Sequence, residues 1–151
     1  MQIARVLVPT DFSSDATQAL QRAVGLARVL RAEIHLLHAY QLPLPIGGPE
    51  PLPLPQVYFD RIRSTAREEL GRLKDKVAAE GVTVASTVIV HDVAWRAIID
   101  TAREIRADLI VMGTRGLTGL KHALLGSVAE RVVRLAPCDV LTVKVASDTS
   151  A

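Results

Sequence analysis

Gly113-Thr114-Arg115-Gly116, nine further residues and then Gly126-Ser127 are the residues whose types and spacing best suit chemistry. They follow directly on the apolar run at 108–112, so a short buried strand is expected to run into a glycine turn. The Gly-Ser pair arrives near the start of the next helix. Glycine lets backbone N–H groups approach an anion with no Cβ in the way. A helix N-terminus adds positive dipole, and Ser127 adds a hydroxyl donor. The chemistry expected of this combination is the cradling of a phosphate.

Such a cradle needs a scaffold, and the hydrophobic pattern supplies one. Apolar, β-branched runs at 3–8, 33–39, 83–90, 108–112 and 140–145 predict five strands. Between them lie helical patterns at 15–31, 58–80, 94–106 and 124–135. Their stripes are Ala16, Leu20, Ala23, Ala27 and Leu30; then Ile62, Ala66, Leu70, Leu73 and Val77; then Trp95, Ile98, Ala102 and Ile105; and finally Val128, Val132 and Leu135. Ser13 or Ser14 is placed to cap the first helix, and Gly81 to stop the second. Alternating strands and helices predict an α/β fold: a parallel sheet with right-handed crossovers and helices on both faces. Ligands of such sheets bind beyond the carboxyl ends of the strands, where strand order reverses. Asp11 and Gly113 would share that edge if the first and fourth strands are neighbours. Residues 41–56 break the rhythm, with six of the eight prolines and Gly47-Gly48. They read as a long, partly extended loop on the ligand edge, acting as a lid or as a partner-docking segment.

Composition narrows the function classes. The 151 residues fit one compact domain, expected over 1–146, with a flexible tail at 147–151. Hydrophobic residues make up 49% of the chain but aromatics only 3%, the balance of a parallel sheet clothed in helices. A net charge of +2, with Lys and Arg scattered among acids, carries no nucleic-acid signal. No apolar run approaches a membrane span and none resembles a signal peptide, so the expected location is the cytoplasm. Cys138 is the single cysteine and opens an apolar run, which makes it a buried structural thiol. His35 and His38 fall in the second strand, as packed or edge-facing residues, and His122 is isolated. No zinc spacing, Gly-x-Ser-x-Gly or P-loop lysine occurs, so rapid hydrolysis is not expected.

The Gly-x2-Gly-x9-Gly-Ser pattern at 113–127, the opening Val8-Pro9-Thr10-Asp11 and the stretch Gly126-Ser127-Val128-Ala129-Glu130-Arg131-Val132 resemble the universal stress protein family, and within it the ATP-binding branch. The resemblance spans nearly the whole chain. It implies a five-stranded parallel, Rossmann-like sheet of order 3-2-1-4-5 and an adenine nucleotide at the switch point. The ligand implied is ATP, with accompanying Mg2+ left open. Asp11, flanked by Pro9 and Thr10, would meet the ribose, and Ala39 would offer backbone contacts to adenine. Gly113, Gly116, Gly126 and Ser127 would hold the phosphates, bordered by Met112, Arg115 and Val128. The order also makes the last strand a sheet edge, coverable by the same strand of a second copy. The resemblance implies the same homodimer, through 140–145.

Each role has a plainer rival. Asp11 also suits a helix cap, the glycines a ligand-free tight turn, and the Ser127 hydroxyl a bond back into its own helix. Arg115 suits either a phosphate or solvent. Many relatives carry Gly at the position of His91, which here would narrow the pocket or be an ordinary loop residue. Asp139 stands where relatives often have Pro, a change expected to alter only the turn. Three functions stay open: a nucleotide-binding stress or signalling module, a slow ATPase or nucleotidyl-transfer enzyme with Asp11 as its base, and a nucleotide-free interaction protein.

Overall fold

A computed structural model describes residues 2–42, 54–116 and 125–145. Its elements run β1 (Arg5–Pro9), α1 (Ser14–Leu30), β2 (Glu33–Tyr40), α2 (Gln56–Ala79), β3 (Val84–His91), α3 (Ala94–Glu104), β4 (Leu109–Gly113), α4 (Ser127–Leu135) and β5 (Asp139–Val143). The five strands form one parallel sheet of order β3-β2-β1-β4-β5. The chain therefore reverses its direction of travel between β1 and β4, which are neighbours.

Strand alternation decides what each face meets. Val6 and Val8 of β1, Ile34 and Leu36 of β2, and Leu109 and Val111 of β4 pack with Ala19, Ala23 and Leu70 of α1 and α2. Leu7, Leu37, Ile110 and Met112 face the other way, onto Ala97, Ile98 and Val132 of α3 and α4. Leu7, Leu36 and Ile110 are wholly buried, and side chains of this kind each contribute about 1.5–3 kcal/mol by leaving water. Small residues on α1 (Ala16, Ala19, Ala23, Ala27) let that helix lie close to the central strands. Asp108 fastens the far end of the sheet. Its Oδ2 accepts the N–H groups of Ala4 and Arg5, both at 2.9 Å. Those backbone donors hold its pKa below the ordinary carboxylate value, Ala4 first and then Arg5.

Several boundaries differ from the sequence pattern. The first helix begins as expected, with Ser13 as N-cap accepting from Ala16 N–H at 3.2 Å. It ends at Leu30, 37% exposed, because Arg31 turns left-handed (φ 57°) and takes the stripe's last member off the core. Leu135, at the end of α4, is 46% exposed where Ala136 leaves the helix in an extended conformation. Helix α2 starts at Gln56 behind Pro55, whose missing N–H is not needed at a helix start. Helix α4 starts at Ser127 rather than 124, since residues 125 and 126 are not helical. Residues 144 and 145 lie outside β5. Of the loop expected at 41–56, residues 43–53 fall outside the described residues, as do His122 and the 147–151 tail.

Candidate functional site

The turn after β1 forms one wall. Thr10 N–H continues the ladder to the Leu37 carbonyl at 2.8 Å. The next bonds are local: Phe12 N–H donates to Thr10 Oγ1 and Ser13 N–H to Asp11 Oδ1, both at 3.0 Å. These side-chain turns aim Asp11 across the edge of the sheet. They also hold Phe12 at φ 64°, a left-handed conformation that costs a non-glycine residue about 1–2 kcal/mol. His38 of β2 supports the turn from outside. The Thr10 carbonyl can only accept, so His38 Nδ1 donates to it, at 2.9 Å. The His38 ring also lies 4.6 Å from that of Phe12.

The facing wall is the link from β4 to α4. A Cβ on Gly113 would sit 3.1 Å from Asp15 Cβ and 3.2 Å from Asp15 backbone, because the first turn of α1 crosses directly over the end of β4. A Cβ on Gly116 would sit 2.8 Å from Asp11 Oδ2, and one on Gly126 would sit 3.0 Å from the Thr114 carbonyl. Gly126 N–H donates to that carbonyl at 2.7 Å, and Thr114 N–H to Val143 O at 3.2 Å, which tie the loop to α4 and β5. Gly126 is the N-cap of α4 and has no side-chain oxygen to satisfy the first-turn N–H groups. Those donors and the positive end of the helix dipole are what an anion would meet there. Thr114 Oγ1 is buried with no hydrogen-bond partner.

Between the walls lies a cavity of about 370 Å3, within the usual range for small-molecule sites. The fold brings all eleven residues singled out in the sequence to its lining, from Pro9, Thr10 and Asp11 through Ala39 to Met112, Gly113, Arg115, Gly116, Gly126, Ser127 and Val128. Ala16, Leu37, Ala94, Ile98, Thr114 and Ala129 also line it; the pattern named Thr114 without a role and missed the others. Five of these six are apolar members of ordinary helix and strand stripes, and their periodic placement along the element is the only signal they carry.

The rival roles sort on this geometry. Ser13, not Asp11, caps α1. Ser127 is the first helical residue, so no preceding turn of its helix offers a carbonyl to its hydroxyl. Arg115 lines the cavity, and its Nε donates to Asp15 Oδ2 at 3.3 Å in a largely buried ion pair. His91 closes β3, stacks on Tyr40 at 5.1 Å and meets Phe59 edge-on, away from the cavity lining. His35 is a packed residue with both ring nitrogens engaged, Nε2 donating to Glu33 at 3.3 Å and Nδ1 hydrogen-bonded to Ser86 Oγ at 2.7 Å. Cys138 is half-buried rather than buried as expected; that burial, then the charges of Asp139 and Asp108, push its thiol up, which leaves it a poor nucleophile. Among the described residues no group of three His, Cys, Asp or Glu is placed to hold a metal. No helix of the described residues is long and apolar enough to cross a membrane.

Comparison with known proteins agrees with the fold. The profile of the Universal stress protein family matches residues 2–144. A universal stress protein of Methanocaldococcus jannaschii is 34% identical, over 93% of this chain and 81% of its own. The structure of universal stress protein UspA from Lactobacillus plantarum superposes with a TM-score of 0.83 at 26% identity, covering 95% of this chain and 99% of that one. A universal stress protein solved in complex with cAMP superposes with a TM-score of 0.66 at 29% identity, over 95% and 98% of the two chains. Strand order, the glycine-lined edge between β1 and β4, and these matches over nearly the full length lead to one assignment: the chain belongs to the universal stress protein family.

Proposed function

We propose that this protein binds ATP in the cavity between β1, β4 and α4 and serves as a nucleotide-dependent stress or signalling module, working in the cytoplasm as a homodimer. The carrying observation is the cradle at Gly116 and Gly126. A side chain at either would collide with Asp11 or with the loop backbone, while the α4 N-terminus presents unsatisfied donors beside them. Phosphates would take those donors and the Ser127 hydroxyl. The Asp11 carboxylate would accept from the ribose hydroxyls, and the apolar wall of Leu37, Ala39, Ile98 and Met112 would receive the base. The relative solved with cAMP supports an adenine nucleotide as the class of ligand.

A ligand that binds only the native state raises stability by mass action, by about 2.7 kcal/mol at a hundredfold excess over its Kd. Mg-ATP is therefore expected to raise the melting temperature by about 5–10 °C for a chain of this size. An unmoved melting curve at several millimolar ATP overturns the reading.

The homodimer rests on β5. Among the described residues it pairs with β4 alone, and Val140, Leu141, Thr142 and Val143 are each partly exposed. Unpaired edge groups beside apolar side chains favour antiparallel pairing with the same strand across a two-fold axis. Light scattering at tens of micromolar should return twice the chain mass, and a single-chain mass rules the dimer out.

A further inference from the structure

We propose that His38 is a positioning residue for the site, holding the Thr10–Phe12 turn so that the Asp11 carboxylate faces the ribose position; this rests on the nucleotide reading above. His38 lies on the α1/α2 face of β2, on the opposite side from Leu37 and Ala39, and is not among the cavity residues. It would act on a ligand only through the turn it touches.

That turn needs an outside support. A bulky residue in the left-handed region persists only where its surroundings hold it there. Phe12 is such a residue, and the bonds to Thr10 Oγ1 and Asp11 Oδ1 come from within the turn itself. Two contacts reach the turn from β2: the ladder bond of Thr10 N–H to Leu37, and His38, which takes the Thr10 carbonyl and the face of Phe12 at once. Relaxing Phe12 to a right-handed or extended conformation would rotate the Asp11–Phe12 peptide and swing the carboxylate off Gly116. The acceptor-only carbonyl also requires a proton on His38 Nδ1.

The test compares ATP with 2′,3′-dideoxy-ATP, which lacks both hydroxyls the carboxylate would accept. The ratio of the two affinities isolates the ribose contact from general effects on the fold. We expect a ratio of about ten or more in the wild type, the value of a hydrogen bond to a charged group. His38→Phe keeps a ring against Phe12 and removes the donor, and should bring the ratio close to that of Asp11→Ala. His38→Asn retains a donor near the Nδ1 position and should preserve most of the ratio. In an Asp11→Ala background, His38→Phe should lower ATP affinity no further. A wild-type ratio kept in His38→Phe, or ATP and dideoxy-ATP weakened by the same factor there, would make His38 a structural residue only and overturn the proposal. A wild type that binds both nucleotides equally would overturn it through Asp11. A wild type that binds neither removes the nucleotide reading itself. One measurement needs no variant: the imidazole nitrogen spectrum of the folded wild type should show a proton on Nδ1 of His38, and a ring protonated on Nε2 alone would refute the bond.

Discussion

Gly116→Val is expected to abolish measurable ATP binding, a loss of about a hundredfold or more, while the melting temperature without ligand stays within about 2 °C of the wild type. Gly116 is exposed and does not have a positive φ, so the backbone accepts a side chain. What the side chain meets is Asp11. Its Cβ falls 2.8 Å from Oδ2, and the next atom is the carboxylate carbon at 4.0 Å. The carboxylate must turn away, yet its Oδ1 is engaged by Ser13 N–H. The substitution thus disturbs the diol acceptor and fills the phosphate approach together, with no core packing involved. Calorimetric titration beside a melting curve checks both halves. Wild-type affinity in a folded Gly116→Val protein would remove Gly116 from the site.

Gly113→Val should do the reverse, lowering stability by about 2–3 kcal/mol, or roughly 4–12 °C in melting temperature. Here the obstacle is backbone: Asp15 C and O at 3.2 Å, with Asp15 Cβ at 3.1 Å. Helix α1 cannot retreat without opening the packing of Ala16, Ala19 and Ala23 on the sheet. The same shift would separate Asp15 from Arg115, whose ion pair holds the loop beyond β4. A thermal melt equal to the wild type would mean that α1 does not press on β4 as described. Two glycines of one motif are thus expected to fail by different routes, Gly116 through the ligand and Gly113 through the fold.

Arg115 and Asp15 mark where the sequence stops being readable. An acid in the first turn of a helix already complements the helix dipole, so Asp15 needs no partner to make sense, and Arg115 lies 100 residues away. His38 poses the same difficulty in smaller form. A histidine in an apolar strand reads as core, and its acceptor, a backbone carbonyl 28 residues earlier, carries no side-chain signature. Trp95 fits the apolar stripe of α3, yet Arg96 and Arg131 cover its ring at 5.5 and 5.3 Å. By contrast, the strands and helices follow from periodicity that burial enforces; of the cavity residues, the glycines and Ser127 follow from spacing and Asp11 from its place after the first strand, while Ala39, Met112, Arg115 and Val128 came only with the family resemblance. Local chemistry is legible, and so is anything repeated along an element. Contacts made by one side chain across the sheet are not.

The β1–β4 pairing also has a consequence for how the molecule comes into being. Two complete strand–helix units separate these neighbouring strands in the chain, so the sheet's centre cannot close until β4 has been added. During synthesis the turn bearing Asp11 emerges early and waits, with nothing opposite it, until β4 and α4 have followed. Loop closure over such distances is slow, and a ligand that needs both walls offers no help to any species that lacks the second. Such a ligand would act as a proofreader of the domain: it distinguishes a chain that has seated β4 and α4 beside β1 from one that has not.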